Sequence, residues 1–334
     1  MVSDSFPSSD GTDESATPEP QEYVIAVAVP EPPVARAAPP RLTRRHVVLP
    51  LLLFVLTCFS TFFAGALPYA GGVVAPLMAE TLPSGAALLA FFKGGFAYSV
   101  PLMLILGCHE AGHFLQARRY GVRASLPFFI PMPISPIGTF GAVIGMEANM
   151  GNRRALFDIG ITGPLAGLVP TIIFCVIGLQ LSNVEVLPKD GSVFLLGEPI
   201  LFKLIAWLTF GPLAEGQDIV LHPMAFAGWV GLLITALNLI PIGQLDGGHV
   251  LYALLRSKAQ QIASLLLVAA VAAVIVFGYW GWTLMLILLM LIGPKHPPTA
   301  GDHVPLGIVR IVLGWLTLAF IPIGFTPMPF VFGQ

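Results

Sequence analysis

Charge is what this chain has least of. Its 334 residues carry 16 Lys and Arg and 18 Asp and Glu, 10% in all, against about a quarter in soluble globular proteins. A chain so poor in charge cannot keep its whole length in water. With 56% hydrophobic residues and a mean hydropathy of +0.84 it reads as an integral membrane protein whose surroundings are a lipid bilayer. The net charge of −2 lacks the basic excess of a nucleic-acid binder, so nucleic acid is excluded as a partner. Cysteine is equally sparse: Cys58, Cys108 and Cys175 all sit in apolar segments, which excludes a disulfide framework and makes them small buried hydrophobes.

Residues 1–44 also lack hydrophobic periodicity. They begin PSSDGTDESATPEPQE and continue through Pro-rich VPEPPVARAAPPRL, the composition of a disordered tail. The first apolar run begins near Val47, too far in and too long for an ordinary cleaved signal peptide, so it is expected to remain as an anchor. Runs near the roughly 20 residues needed to span a bilayer fall at about 47–68, 96–118, 156–181, 223–242, 260–278 and 305–324, with shorter ones at 84–95, 198–211 and 280–293. The expected fold is an all-α polytopic membrane protein of about six to eight transmembrane helices.

Because Lys and Arg gather on the cytoplasmic side of spans, Arg41, Arg44 and Arg45 place the tail in the cytoplasm, and Arg118, Arg119 and Arg123 bring the second span back there. Arg153 and Arg154, then Arg256 and Lys258, mark the same side. This parity requires that 69–95 not cross fully, so a loop with a partial, re-entrant or peripheral segment is expected there. Four prolines in SLPFFIPMPISPIGTFGAVIGMEANMGNRR forbid a regular helix, and its apolar character argues against a free loop. A re-entrant segment with a short strand at GTFGAVIGM, near residues 126–148, fits better, since irregular backbone survives at membrane depth only beside protein or a wet cavity.

Ionisable groups are costly in such a setting, yet GCHEAGHFLQARRYG places His109, Glu110 and His113 in the second span. Histidines four apart share one helix face and can bind one cation. His-Glu-x-x-His on a helix is a zinc-protease pattern: the two imidazoles hold the metal, and the Glu takes a proton from water. The alternative is a pair of satisfied histidines in a bundle. A catalytic zinc usually has three protein ligands, and the candidate third is Asp246 in TALNLIPIGQLDGGHVLYALL. Glu110 lies nine residues before Arg119 and Asp246 ten before Arg256, so on helices both stand about 15 Å inside the boundary. His249, three residues on, competes with Asp246. Asp158 is expected to pair with a cation at the interface, the other histidines to lie at the surface, and the small residues of GPLAGL (163–168) to allow close helix approach.

With HEAGH at 109–113, FDIGITGPLAG at 157–167 and NLIPIGQLDGG at 238–248 in this order, residues 95–260 resemble the site-2 protease family of intramembrane zinc metalloproteases. The resemblance implies one zinc per chain held by His109, His113 and Asp246, with Glu110 as catalytic base and Asn238 near the bound substrate. The substrates would be transmembrane proteins, cleaved in or near their membrane segments in regulated intramembrane proteolysis. The domains implied are the tail 1–44 and a membrane-embedded metalloprotease domain 45–334 with its core at 95–260. The lengths of 182–222 and 294–334 leave no room for the PDZ or CBS modules of many members. The chain is similar to compact cyanobacterial, other bacterial and plastid members, and a bacterial inner membrane is the expected location. The rival readings are a transporter or channel, since polar groups in broken spans also mark ion paths, and an inactive pseudoprotease that binds membrane clients.

The ligand assignment is open to direct measurement of zinc in purified protein. His113→Ala and Asp246→Ala should each lose the metal while His249→Ala keeps it. The reverse behaviour of Asp246→Ala and His249→Ala would assign the third ligand to His249.

Overall fold

The computed structural model describes residues 44–70, 84–146, 151–186, 194–299 and 301–332. In chain order the elements are α1 (Arg44–Ala70), α2 (Ser84–Arg119), β1 (Phe128–Met132), β2 (Gly138–Val143), α3 (Arg153–Gln180), β3 (Asn183–Val186), β4 (Phe194–Leu196), α4 (Ile200–Phe210), β5 (Gln217–Val220), α5 (Pro223–Asn238), α6 (Asp246–Leu255), α7 (Ser257–Phe277), α8 (Thr283–Ile292), α9 (Ile308–Ala319), α10 (Ile321–Gly324) and β6 (Phe330–Phe332). Apart from Arg44, the expected tail lies outside the described residues.

The chain is mostly helical, and among the described residues four helices are long and apolar enough to cross a membrane: α1, α2, α3 and α7. Large apolar side chains along α1 and α7, such as Leu51, Phe59, Leu265 and Val276, face outward, as lipid contact requires and water contact forbids. Cys108 is exposed on α2 and Cys58 half-buried, so only Cys175 is the buried hydrophobe expected of all three.

Three of the expected segments take a different form. The run 84–95 is no separate partial segment: it is the first third of α2, a 36-residue helix about 54 Å long. The Ala-, Leu- and Phe-rich AALLAFF favours continuous helix, and residues 71–83 lie outside the described set. The expected span at 223–242 stops at Asn238 because Pro241 cannot continue it. Its 16 residues reach about 24 Å, and α5 packs on α2 and α3. The run 305–324 is broken into α9 and α10 around Phe320, with Pro322 at the start of the second piece.

The fold is also less purely helical than expected. Beside the anticipated strand at 138–146, β1 pairs antiparallel with β2, Phe128 opposite Val143 and Met132 opposite Gly138. The register shifts between Phe129 and Pro131, where proline has no N–H for a ladder. Two further antiparallel pairs, β3 with β5 and β4 with β6, were not legible from the hydropathy. The hairpin hangs on α1 and α2: Ser60 Oγ donates to the Gly138 carbonyl, and Tyr98 Oη to that of Ile137 at 2.7 Å. Gly138 has φ +80°, and a Cβ there would stand 2.7 Å from the Ser60 carbonyl oxygen. Only glycine fits that turn against α1.

The core of the bundle is α5 against α3. Trp229 is fully buried, its indole Nε1 donating to the Gly197 carbonyl at 2.7 Å. Gly228 and Gly231 face Cys175 and Thr171 closely enough that a Cβ at either would meet atoms at 2.7 Å, which brings the two backbones together. The cations of the sequence do more than mark a boundary. Arg153 donates to the Ala253 and Leu254 carbonyls at the end of α6, and Arg154 to that of Pro305 at 2.6 Å. Asp158 does pair with a cation, Arg310 of α9, through two bonds of 2.8 Å, and Tyr120 Oη donates to the same carboxylate.

That cluster ties the end of α2 to α3 and α9. Asp158→Ala should remove all three charge-assisted hydrogen bonds and lower stability by about 2 kcal/mol, read as a lower thermal midpoint in detergent with zinc content unchanged. An unchanged midpoint would make the pair neutral.

Candidate metal centre

The centre begins with helix periodicity. His109 and His113 are one turn apart on α2, and their Nε2 atoms converge to 3.1 Å. Asp246 arrives from the first turn of α6, where the chain resumes helix after the break at Pro241. Its Oδ2 lies 3.1 Å from His109 Nε2 and its Oδ1 3.2 Å from His113 Nε2. One donor atom from each residue falls within 4.8 Å of the others. Donors about 2.0–2.1 Å from a tetrahedral zinc stand roughly 3.3 Å apart, so the spacing fits that ion.

The hydrogen bonding fits it too. His113 Nδ1 is 2.8 Å from the Ile159 carbonyl, which can only accept, so Nδ1 carries a proton and Nε2 is the nitrogen left to offer a lone pair to a metal at the cluster. A lone pair pointed at a carboxylate repels it unless a cation lies between them. Both histidines and Glu110 are only 3–4% exposed, so water contributes little screening. Glu110 Oε2 is the one buried side-chain polar atom without a hydrogen-bond partner among the described residues. Such an oxygen is costly at rest and is the form in which a proton acceptor would be held.

All of these groups line one cavity of about 280 Å³. Asn238, at the end of α5, also lines it, with Nδ2 3.4 Å from His109 Nε2. Ala142, Val143 and Ile144 of the hairpin form one part of the wall, and His296 to Thr299 another. His249 lines the cavity but stands outside the three-donor group; its Nδ1 is 2.6 Å from His296 Nε2. His296 is therefore no surface residue as expected, and the wall at 296–299 falls outside the anticipated core 95–260. Only a histidine between Lys295 and two prolines could have hinted at it. His222 is likewise employed, accepting from the Met224 N–H at 3.2 Å to cap α5.

The glycines of the motifs explain how α3 lies so close to the histidines of α2 and how α6 starts so close to the loop before it. On α3, a Cβ at Gly163 would overlap the His113 ring, and one at Gly167 would stand 3.0 Å from His109 Cβ. Reciprocally, Gly112 of α2 meets the Thr162 carbonyl at 2.5 Å from its would-be Cβ. Gly247 and Gly248 abut the carbonyls of Leu239 and of Ile242 and Gly243, so any side chain there would push the start of α6, and Asp246 with it, off the preceding loop. Packing and ligand placement are one constraint here.

Comparison with known proteins gives a consistent picture. Residues 97–279 match peptidase family M50. The chain is 34% identical over 265 residues to "Probable zinc metalloprotease EGY2, chloroplastic" of Arabidopsis thaliana, covering 75% of this chain and 46% of that protein. It is 34% identical over 223 residues to "Probable zinc metalloprotease EGY1, chloroplastic" of Oryza sativa subsp. japonica, covering 61% and 37%. The chain thus spans less than half the length of these curated relatives. No solved structure matches it.

Gly163→Ala should displace the His113 ring and lower zinc content severalfold, whereas Gly107→Ala, whose Cβ would meet nothing within 4 Å, should leave it unchanged. Full zinc occupancy in Gly163→Ala would show that α3 does not fix the ligand.

Proposed function

The chain belongs to peptidase family M50, and from that premise we propose that it is a zinc metalloprotease hydrolysing peptide bonds in or near the transmembrane segments of membrane proteins. The observation that carries the reading is the meeting of His109, His113 and Asp246 beside the unpartnered carboxylate oxygen of Glu110 in one cavity. Transport needs no such base beside a three-donor cluster.

His109, His113 and Asp246 would hold the zinc, which when bound supplies Lewis acidity to the scissile carbonyl and lowers the pKa of a coordinated water. Glu110 accepts the proton of the attacking water at its carboxylate and returns it to the leaving amine. Asn238 supports the substrate beside His109. A substrate helix keeps its amides in its own hydrogen bonds, so it must unwind before attack. The cavity side of β2, with Ala142, Val143 and Ile144, offers main-chain groups to receive the unwound segment.

The proposed arrangement in the membrane keeps the tail 1–44 and the Arg-rich ends of α2 and α3 in the cytoplasm, with 45–334 as the protease domain. Four candidate spans and four shorter apolar helices or helix groups, 200–210, 223–238, 280–292 and 308–324, leave room for six to eight crossings. Membrane integration is supported by the spans themselves. The chloroplastic names of the relatives conflict with the expected bacterial inner membrane, and no compartment is assigned.

Glu110→Gln keeps size and polarity but not basicity. It should reduce cleavage of a single-span protein by about 10²–10⁴ at equal zinc content, measured with protein purified in detergent. A variant as active as wild type would sink the mechanism.

A further inference from the structure

The cavity holds one feature that neither the metal nor Glu110 accounts for. His249 and His296 come from distant parts of the chain and meet at 2.6 Å, Nδ1 to Nε2, inside the cavity wall. His296 Nδ1 is also 2.6 Å from the Pro297 carbonyl oxygen. A carbonyl only accepts, so Nδ1 of His296 carries the hydrogen and its Nε2 is an acceptor. His249 Nδ1 must then donate, which leaves the lone pair of the neutral His249 ring on Nε2. No hydrogen bond of that nitrogen is seen among the described residues, and the residue itself lines the metal cavity.

The chain spends several contacts on holding His296 there. Its ring stacks on Tyr252 with centroids 4.5 Å apart, and Tyr252 Oη donates to Asp302 at 2.6 Å. Asp302 also accepts from the backbone N–H and hydroxyl of Thr299, folding the loop into a clamp on α6. Burial lowers the His296 pKa from the ordinary imidazole value, with the Pro297 hydrogen bond and Asp302 acting the other way, so the ring is neutral near pH 7. On the other side of His249, Gly160 leaves room for its Cβ, which a side chain there would meet at 3.0 Å.

We propose that His296 is a positioning residue that fixes the tautomer of His249, so that His249 Nε2 accepts a hydrogen bond from a main-chain N–H of the peptide bound in the metal cavity. An unwound substrate segment exposes amides that need acceptors in a dry site, and a carboxylate in this position would compete for the metal. A neutral imidazole locked as an acceptor meets the need without adding charge. This inference rests on the protease reading of the site.

The test uses the full chain in detergent, with a single-span protein as substrate and zinc measured in every sample. His296→Phe retains a ring to stack on Tyr252 but loses the acceptor for His249 Nδ1; His296→Gln supplies a carbonyl oxygen at nearly the same reach. His296→Phe should lower kcat/KM about tenfold at unchanged zinc content, and His296→Gln should restore most of it. Nitrogen-15 spectra of histidine-labelled protein should show His249 as the Nδ1–H tautomer in wild type and His296→Gln, and a mixture in His296→Phe. Wild-type cleavage insensitive to His296→Phe, equal loss in both variants, or an unchanged tautomer overturns the proposal alone. Failure of wild type to cleave in a Glu110-dependent way overturns the protease reading, and the proposal with it.

Discussion

Everything in this molecule is arranged around a repulsion that one cation removes. Two imidazole nitrogens and a carboxylate point at a common centre inside a bundle too apolar to screen them. A charged side chain at the centre of a bilayer costs about 2.5 kcal/mol at the least, and a carboxylate facing two nitrogen lone pairs would cost more. A zinc ion held there would convert that repulsion into bonding and link folding free energy to metal binding. The hydrogen bond from His113 Nδ1 to Ile159 then matters beyond its own strength, because it decides which nitrogen faces the metal.

Bringing the donors to that centre sets the architecture. His109 and His113 are rigidly placed by α2, but Asp246 must come from a chain that has just left another helix. Pro241 ends α5 early, and the Gly247–Gly248 pair lets α6 restart against the carbonyls of the connecting loop. On the far side α3 presents Gly160, Gly163 and Gly167 to His249, His113 and His109 in turn. Spacings of three and four place these glycines on one helix face. At these three positions the face carries no side chains because the three histidines occupy their space, so a methyl group at Gly163 or Gly167 would press on a candidate ligand as directly as a mutation on α2.

The remaining cavity wall is built from segments that are irregular for good reason. The hairpin at 128–143 is pinned to α1 and α2 by Ser60 and Tyr98, which satisfies backbone that a bilayer would not. His296 and Asp302 are both held to α6 through Tyr252. Both segments hold main-chain and imidazole groups near the metal, where an extended peptide would need them.

Much of the centre was legible in the sequence because helical periodicity is local. The four-residue spacing of His109 and His113 places their rings together on any helix, and Glu110 is read from the His-Glu-x-x-His pattern they frame. The pairing of Asp246 with them could be argued from depth alone, since positive residues lie nearly equal distances away along both helices. Hydropathy located every long helix, yet it separated 84–95 from α2 and carried 223–242 past the helix end at Asn238. A count of apolar residues cannot say whether a run joins its neighbour or is stopped by a proline and buried. What only the tertiary structure decided are contacts between distant segments: Arg310 with Asp158, the strand pairs beyond the first hairpin, and His296 against His249. No local periodicity encodes a meeting between residues 47 positions apart. It is fixed by how α6 packs against the segment that carries His296.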